Sequence, residues 1–106
     1  MIEGTAGLHA AAEIAAVDGI DMLFLGPLDL TADMGCIGRF DDPRVASAIE
    51  GLRSSLEGSG KWLGSTTLPG VAASNLVARG FRFVTVGSDV GFLQAGARAG
   101  LAAMQR

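Results

Sequence analysis

The chain has 106 residues, a net charge of −3 and 49% hydrophobic residues, so it reads as a soluble globular polypeptide with room for one domain and not as a disordered tail. Its eight Lys and Arg are scattered singly, leaving no basic stripe for a phosphate backbone and no aromatic platform for stacked bases; nucleic acid is not an expected partner. The single cysteine, Cys36, cannot form an intrachain disulfide or a cysteine-based zinc site, which points to a reducing cytoplasm. No basic leader with an apolar core and no apolar run of about 20 residues is present, so neither export nor membrane insertion is expected.

Taken in order, Met1-Ile2-Glu3 reads as the end of a strand whose body lies outside the chain. Thr5 is placed to cap a helix running to about Val17, with Leu8, Ala11, Ala12 and Ala15 forming a small-residue face before Asp18-Gly19 breaks it. Met22 to Leu25 is a short apolar strand that turns at Gly26-Pro27. Asp42-Pro43 starts the clearest helix, in which Val45, Ala48, Ile49, Leu52 and Leu56 repeat at helical spacing, and Gly58 with Gly60 stops it.

Trp62 to Thr66 is the next strand, Pro69 opens a helix carrying Val71, Leu76 and Val77 to about Gly80, and Phe81 to Val86 is a third strand closed by Gly87. Ser88 caps a final helix containing Leu93, Ala97, Leu101 and Met104. The sixteen glycines have no fixed period and mark element ends, which excludes collagen-like and low-complexity readings. Trp62 and the five phenylalanines are expected in the core.

Strands alternating with helices at this spacing predict an α/β fold with a parallel sheet of right-handed βαβ units. An eight-stranded βα barrel needs about 250 residues, so residues 1–106 correspond to at most its C-terminal half, with open strand edges to be covered or paired. In such a fold ligands bind at the carboxyl ends of the strands. Glu3 ends the stub and Asp29 follows the next strand, so neighbouring strands bring two carboxylates to one rim. Two carboxylates suit a hard divalent ion such as Mg²⁺, whose octahedral shell at about 2.1 Å is completed by water and substrate oxygens. The residues alone leave a second reading open, in which Asp29 caps a turn from Leu30 to Met34 and Glu3 is an exposed residue at a chain start.

The segments "IEG" at 2–4, "AAEIAAVDGID" at 11–21, "FLGPLDLTADMG" at 24–35, "GK" at 60–61 and "FVTVGSD" at 83–89 resemble the C-terminal half of the HpcH/HpaI aldolases, class II pyruvate aldolases acting on 2-keto-3-deoxy sugar acids and 4-hydroxy-2-oxo acids. The spacing of Glu3 and Asp29 equals that of the family's metal-ligating carboxylates, so the resemblance implies that these two hold Mg²⁺, Mn²⁺ or Co²⁺. The ion would chelate the carboxylate and keto oxygens of pyruvate as a Lewis acid for its enolate. Aldol cleavage of a 2-oxo acid to pyruvate and an aldehyde, or its reverse, would follow.

The resemblance further implies that backbone amides near Leu28 and Thr66 hold the pyruvate carboxylate, although "GSTTLPG" at 64–70 replaces the family's more apolar run. The family's catalytic histidine and substrate-orienting arginine belong to the N-terminal half and have no counterpart here. His9 does not align with that base and is assigned a surface or packing role. Expected partners are therefore a small-molecule 2-oxo acid and either further copies of the chain or a complementary N-terminal half. Phe92, Leu93, Leu101 and Met104 are the expected subunit contacts. Asp33, Asp41, Asp42 and Asp89 are expected to act as caps and turn residues. Ser65-Thr66-Thr67 has no neighbouring histidine to support a triad. The alternatives are an acyl-CoA lyase of the citrate lyase beta type, and a non-catalytic remnant that keeps the metal and keto-acid rim.

Overall fold

A computed structural model describes residues 1–68 and 71–104. Its elements run α1 (Thr5–His9), α2 (Ala11–Ala15), β1 (Met22–Leu25), α3 (Pro27–Asp33), α4 (Pro43–Ser55), β2 (Trp62–Thr66), α5 (Ala73–Ala78), β3 (Phe83–Thr85) and α6 (Asp89–Met104). The three strands form a parallel sheet in the order β1-β2-β3. On the free side of β1, Ile2 forms a parallel bridge to Leu25: its N–H donates to the Phe24 carbonyl at 2.7 Å and its own carbonyl accepts from Gly26 N at 2.8 Å. The expected strand stub is present, so four parallel positions lie side by side.

The side chains alternate as a sheet covered on one face requires. Leu23, Leu25, Leu63 and Ser65 are buried on the helix side, where the three leucines join Val45, Ile49, Leu52 and Leu56 of the α4 segment in one cluster with Ile2, Ala11, Ala15, Leu30, Leu76 and Phe81. The opposite face carries Met22, Phe24, Trp62, Gly64 and Phe83. There the rings of Phe24 and Phe83 meet edge to face at 6.0 Å across Gly64. A Cβ on Gly64 would lie 2.8 Å from the Phe24 ring and 2.9 Å from Met22 Sδ, so glycine is required for these rings to meet.

Helix starts follow local chemistry. Asp42 Oδ1 accepts from Arg44 N at 2.9 Å, and Pro43 occupies the first helical position, where its missing N–H costs nothing. Arg44 also bridges to Asp42 Oδ2 at 2.8 Å, and with its side-chain hydrogen bond foremost it lowers the Asp42 carboxyl to about 2. Ser88 Oγ accepts from Gly91 N at 3.1 Å, which caps α6 as expected. Gly58 and Gly60, with φ of 76° and 73°, take the chain out of α4 through the left-handed region that favours glycine.

Three expectations need correction. The first helix is two short ones, because the backbone leaves helical geometry at Ala10 (φ −89°, ψ 4°), and its N-cap is Gly4 while Thr5 is its first helical residue. The turn after Pro27 is a seven-residue helix. Of the aromatic residues expected in the core, only Phe81 is buried; Trp62, Phe83 and Phe92 are exposed, and Phe24 and Phe40 are half-buried. The inner face of the sheet has no further strands of the described residues over it, and Trp62 instead receives the Arg82 guanidinium 4.5 Å from its ring centre. The expected helix start at Pro69 lies outside the described residues, and α5 begins at Ala73.

Candidate functional site

The register fixes which residues meet at the carboxyl ends of the strands. Ile2, Leu25, Ser65 and Val84 stand level across the sheet, and the next level is Glu3, Gly26, Thr66 and Thr85. Because successive residues face opposite sides, this upper row points away from the helices. A Cβ built on Gly26 would lie 2.8 Å from Glu3 Cγ and 3.3 Å from Glu3 Oε1. The glutamate side chain therefore lies across the glycine at the mouth of α3.

Asp29 stands in the first turn of α3, which Gly26 caps through its backbone and Pro27 enters. Among the described residues its carboxylate makes no side-chain hydrogen bond, and the helix is already entered at Pro27, contrary to the second reading of the sequence; Asp29 sits where the positive end of the helix favours an anion. Asp29 and Asp33 are four residues apart and share one face of α3. Asp33 Oδ2 accepts from Thr5 N at 2.7 Å and Thr5 Oγ1 at 2.8 Å, which turns that face toward the loop bearing Glu3. The Thr5 N–H first, and its hydroxyl second, hold the Asp33 carboxyl below its usual range. Sequence reasoning treated Asp33 as a local cap. It caps the start of α1 from 28 residues away, and no local pattern signals such a contact.

Glu3 and Asp29 are exposed and take part in no ion pair or side-chain hydrogen bond among the described residues. The donor set is all oxygen, which matches a hard divalent cation, and the glycine at position 26 leaves the space in which Glu3 lies. Among the described residues no cluster of three or more His, Cys, Asp or Glu could hold a metal.

Leu28 is exposed in the first turn of α3, and Thr66 is half-buried at the end of β2. The amide of Leu28 lies among the first N–H groups of a helix, which have no partner within it. Thr66 shares the upper row with Glu3, and Thr85 beyond it, a position the sequence did not single out, fixes the following turn by accepting from Thr67 N at 2.9 Å. His9 is exposed at the end of α1. A separate cavity of about 510 Å³ between the sheet and the helices is lined by Leu25, Ile49, Leu76 and Phe81 among others, without Glu3 or Asp29. No described helix is long and apolar enough to cross a membrane.

The chain is 42% identical over 104 residues to the hydroxypyruvate/pyruvate aldolase of Cupriavidus necator, covering 98% of the chain and 38% of that enzyme. It is 39% identical over 98 residues to the 4-hydroxy-2-oxo-heptane-1,7-dioate aldolase of Salmonella newport, covering 92% of the chain and 37% of that enzyme. The chain spans between a third and two fifths of the length of such curated relatives. An HpcH/HpaI aldolase/citrate lyase family protein from Burkholderia cenocepacia superposes with a TM-score of 0.83 at 31% identity, covering 99% of this chain and 41% of that one. The four parallel positions are accordingly an arc of the barrel seen in these neighbours. With the profile of HpcH/HpaI aldolase/citrate lyase matching residues 1–95, the chain belongs to that family.

Proposed function

We propose that Glu3 and Asp29 hold a divalent cation, Mg²⁺, Mn²⁺ or Co²⁺, and that the rim above β1 and β2 presents a 2-oxo acid to it for aldol cleavage to pyruvate and an aldehyde, or for the reverse addition. The observation that carries this reading is the placement of the Glu3 side chain over Gly26, at the mouth of the helix whose first turn bears Asp29. When bound, the ion supplies Lewis-acid polarisation of the keto oxygen, which favours breaking or making the neighbouring carbon–carbon bond.

The chain's own residues orient the substrate. The first-turn amide of Leu28 and the backbone beside Thr66 are assigned to the substrate carboxylate, which N–H groups at a helix start attract. Neither Glu3 nor Asp29 is available as the proton-transfer group while it ligates the cation, and His9 lies on α1 behind the strand stub. The family resemblance assigns the base to the N-terminal half of the barrel, outside these residues. The apolar residues Phe92, Leu93, Leu101 and Met104 on α6, a helix with no buried residue, are assigned to contact with a further copy of the chain.

Calorimetric titration with Mn²⁺ and then pyruvate, with Glu3→Ala and Asp29→Ala beside the parent chain, tests the reading. Binding in the parent that is lost in both variants supports it; parent-like binding in either variant removes that residue from the site. Assays of pyruvate release from a 4-hydroxy-2-oxo acid, and of cleavage of an acyl-CoA substrate, separate the aldolase from the lyase reading.

A further inference from the structure

Glu3 is held from two sides. Before it, Ile2 is fixed to β1 by its hydrogen bonds with Phe24 and Gly26. After it, Thr5 is fixed to Asp33 by two hydrogen bonds that end on one oxygen, Oδ2. Asp33 in turn stands one helical turn beyond Asp29 on the same face of α3. The covalent path from Glu3 to Asp29 runs through α1, α2 and β1, whereas the path through Thr5 and Asp33 crosses two residues, one hydrogen bond and one turn of α3. The backbone at Gly4 passes so close to this contact that a Cβ there would be 3.2 Å from Asp33 Oδ2.

We infer that Asp33 is a positioning residue: through Thr5 it sets the separation of Glu3 and Asp29 and thereby the affinity for the divalent cation, without touching the ion. This rests on the metal reading proposed above. Partners that orient ligating side chains are worth roughly 10- to 100-fold in metal affinity, and here the two carboxylates stand on separate segments, Glu3 before α1 and Asp29 in α3.

Because both bonds end on one oxygen, charge and geometry can be separated. The carbonyl of an asparagine can accept both donors in place of Oδ2, while alanine can accept neither. Mn²⁺ affinity is measured by calorimetry for the full chain, for Asp33→Asn, Asp33→Ala, Thr5→Val and Glu3→Ala, with circular dichroism and thermal unfolding for each. The expected result is affinity within about threefold of the parent for Asp33→Asn, a loss of about 10-fold or more for Asp33→Ala, and an intermediate loss for Thr5→Val, which keeps the N–H donor.

Parent-like affinity in a folded Asp33→Ala, with binding abolished in Glu3→Ala, overturns the inference and leaves the metal reading standing. Equal losses in Asp33→Asn and Asp33→Ala also overturn it, since charge rather than geometry would then be responsible. If Asp33→Ala does not fold, Asp33→Asn and Thr5→Val decide the matter by the same criteria. No Mn²⁺ binding by the parent chain overturns the metal reading and the inference with it.

Discussion

Gly26→Ala should separate the stability of the fold from the function of the rim. Gly26 has φ −98° and ψ 90°, a conformation open to alanine, and its N–H bond to the Ile2 carbonyl survives the change. The added methyl group would meet Glu3 Cγ at 2.8 Å. Ordinary contact begins near 3.4 Å, so the glutamate side chain must move by at least 0.6 Å and change rotamer. Displacing an exposed side chain costs about 0.5–1.5 kcal/mol, and loss of glycine's freedom in the unfolded chain offsets about 0.4–1 kcal/mol of it. Net stability should therefore change by less than about 1 kcal/mol, or less than about 8 °C in midpoint for a domain of this size. Mn²⁺ affinity should fall by about 10-fold or more, because one ligand is pushed off its position. Thermal unfolding and calorimetry on the same sample test both halves. A folded Gly26→Ala chain that binds Mn²⁺ as the parent does would refute the placement of Glu3 as a ligand.

On the inner face, Gly64→Ala should behave in the opposite way, costing about 1–3 kcal/mol by denaturant unfolding: its methyl group would enter the Phe24 ring at 2.8 Å and Met22 Sδ at 2.9 Å with the Phe83 carbonyl behind it. Asp42 sets an acid limit. Its carboxyl is lowered from 3.8 to about 2 by Arg44, so its contribution is fully present above about pH 4 and is lost as the pH falls through about 2. Asp42→Asn should flatten stability against pH in that window, and an unchanged slope would show that the pair with Arg44 does not form in solution. The apolar α6 residues predict self-association by sedimentation velocity, weakened in a Leu101→Glu, Met104→Glu double variant. These side chains are 63% and 83% exposed, and a monomeric parent chain would refute the assignment.

What could be read from the sequence was whatever local chemistry controls. The bounds of β1 follow from an apolar run closed by Gly26, and α4 starts at Asp42-Pro43 because a carboxylate acceptor and a residue without an N–H both suit a helix start. The rim location of Glu3 and Asp29 followed from placing each just past a strand in a parallel sheet. Tertiary partners were not legible. Thr5 looks like a cap, yet its hydroxyl goes to Asp33. The break at Ala10 falls in an alanine-rich stretch with no glycine or proline to announce it. The aromatic residues were misplaced because composition says that a ring seeks an apolar surface but not which side of the sheet it faces.

Parallel register explains why a weakly patterned site can still be sharply placed. Ile2 is 3% exposed, joins the helix-side core beside Leu25, and packs against Gly7, where a Cβ would lie 3.5 Å from Ile2 Cδ1. In a strand, burying one residue on one face turns the next to the other, and a slip by one residue would invert both. Hydrophobic anchoring of Ile2 therefore aims Glu3 across Gly26, while Pro27 and the buried Leu30 and Thr31 hold the helix that carries Asp29. The polar residues at the rim need few contacts of their own, since the neighbouring apolar positions have already fixed their direction. Asp33 supplies what this alternation cannot, a link from the end of α3 to the start of α1.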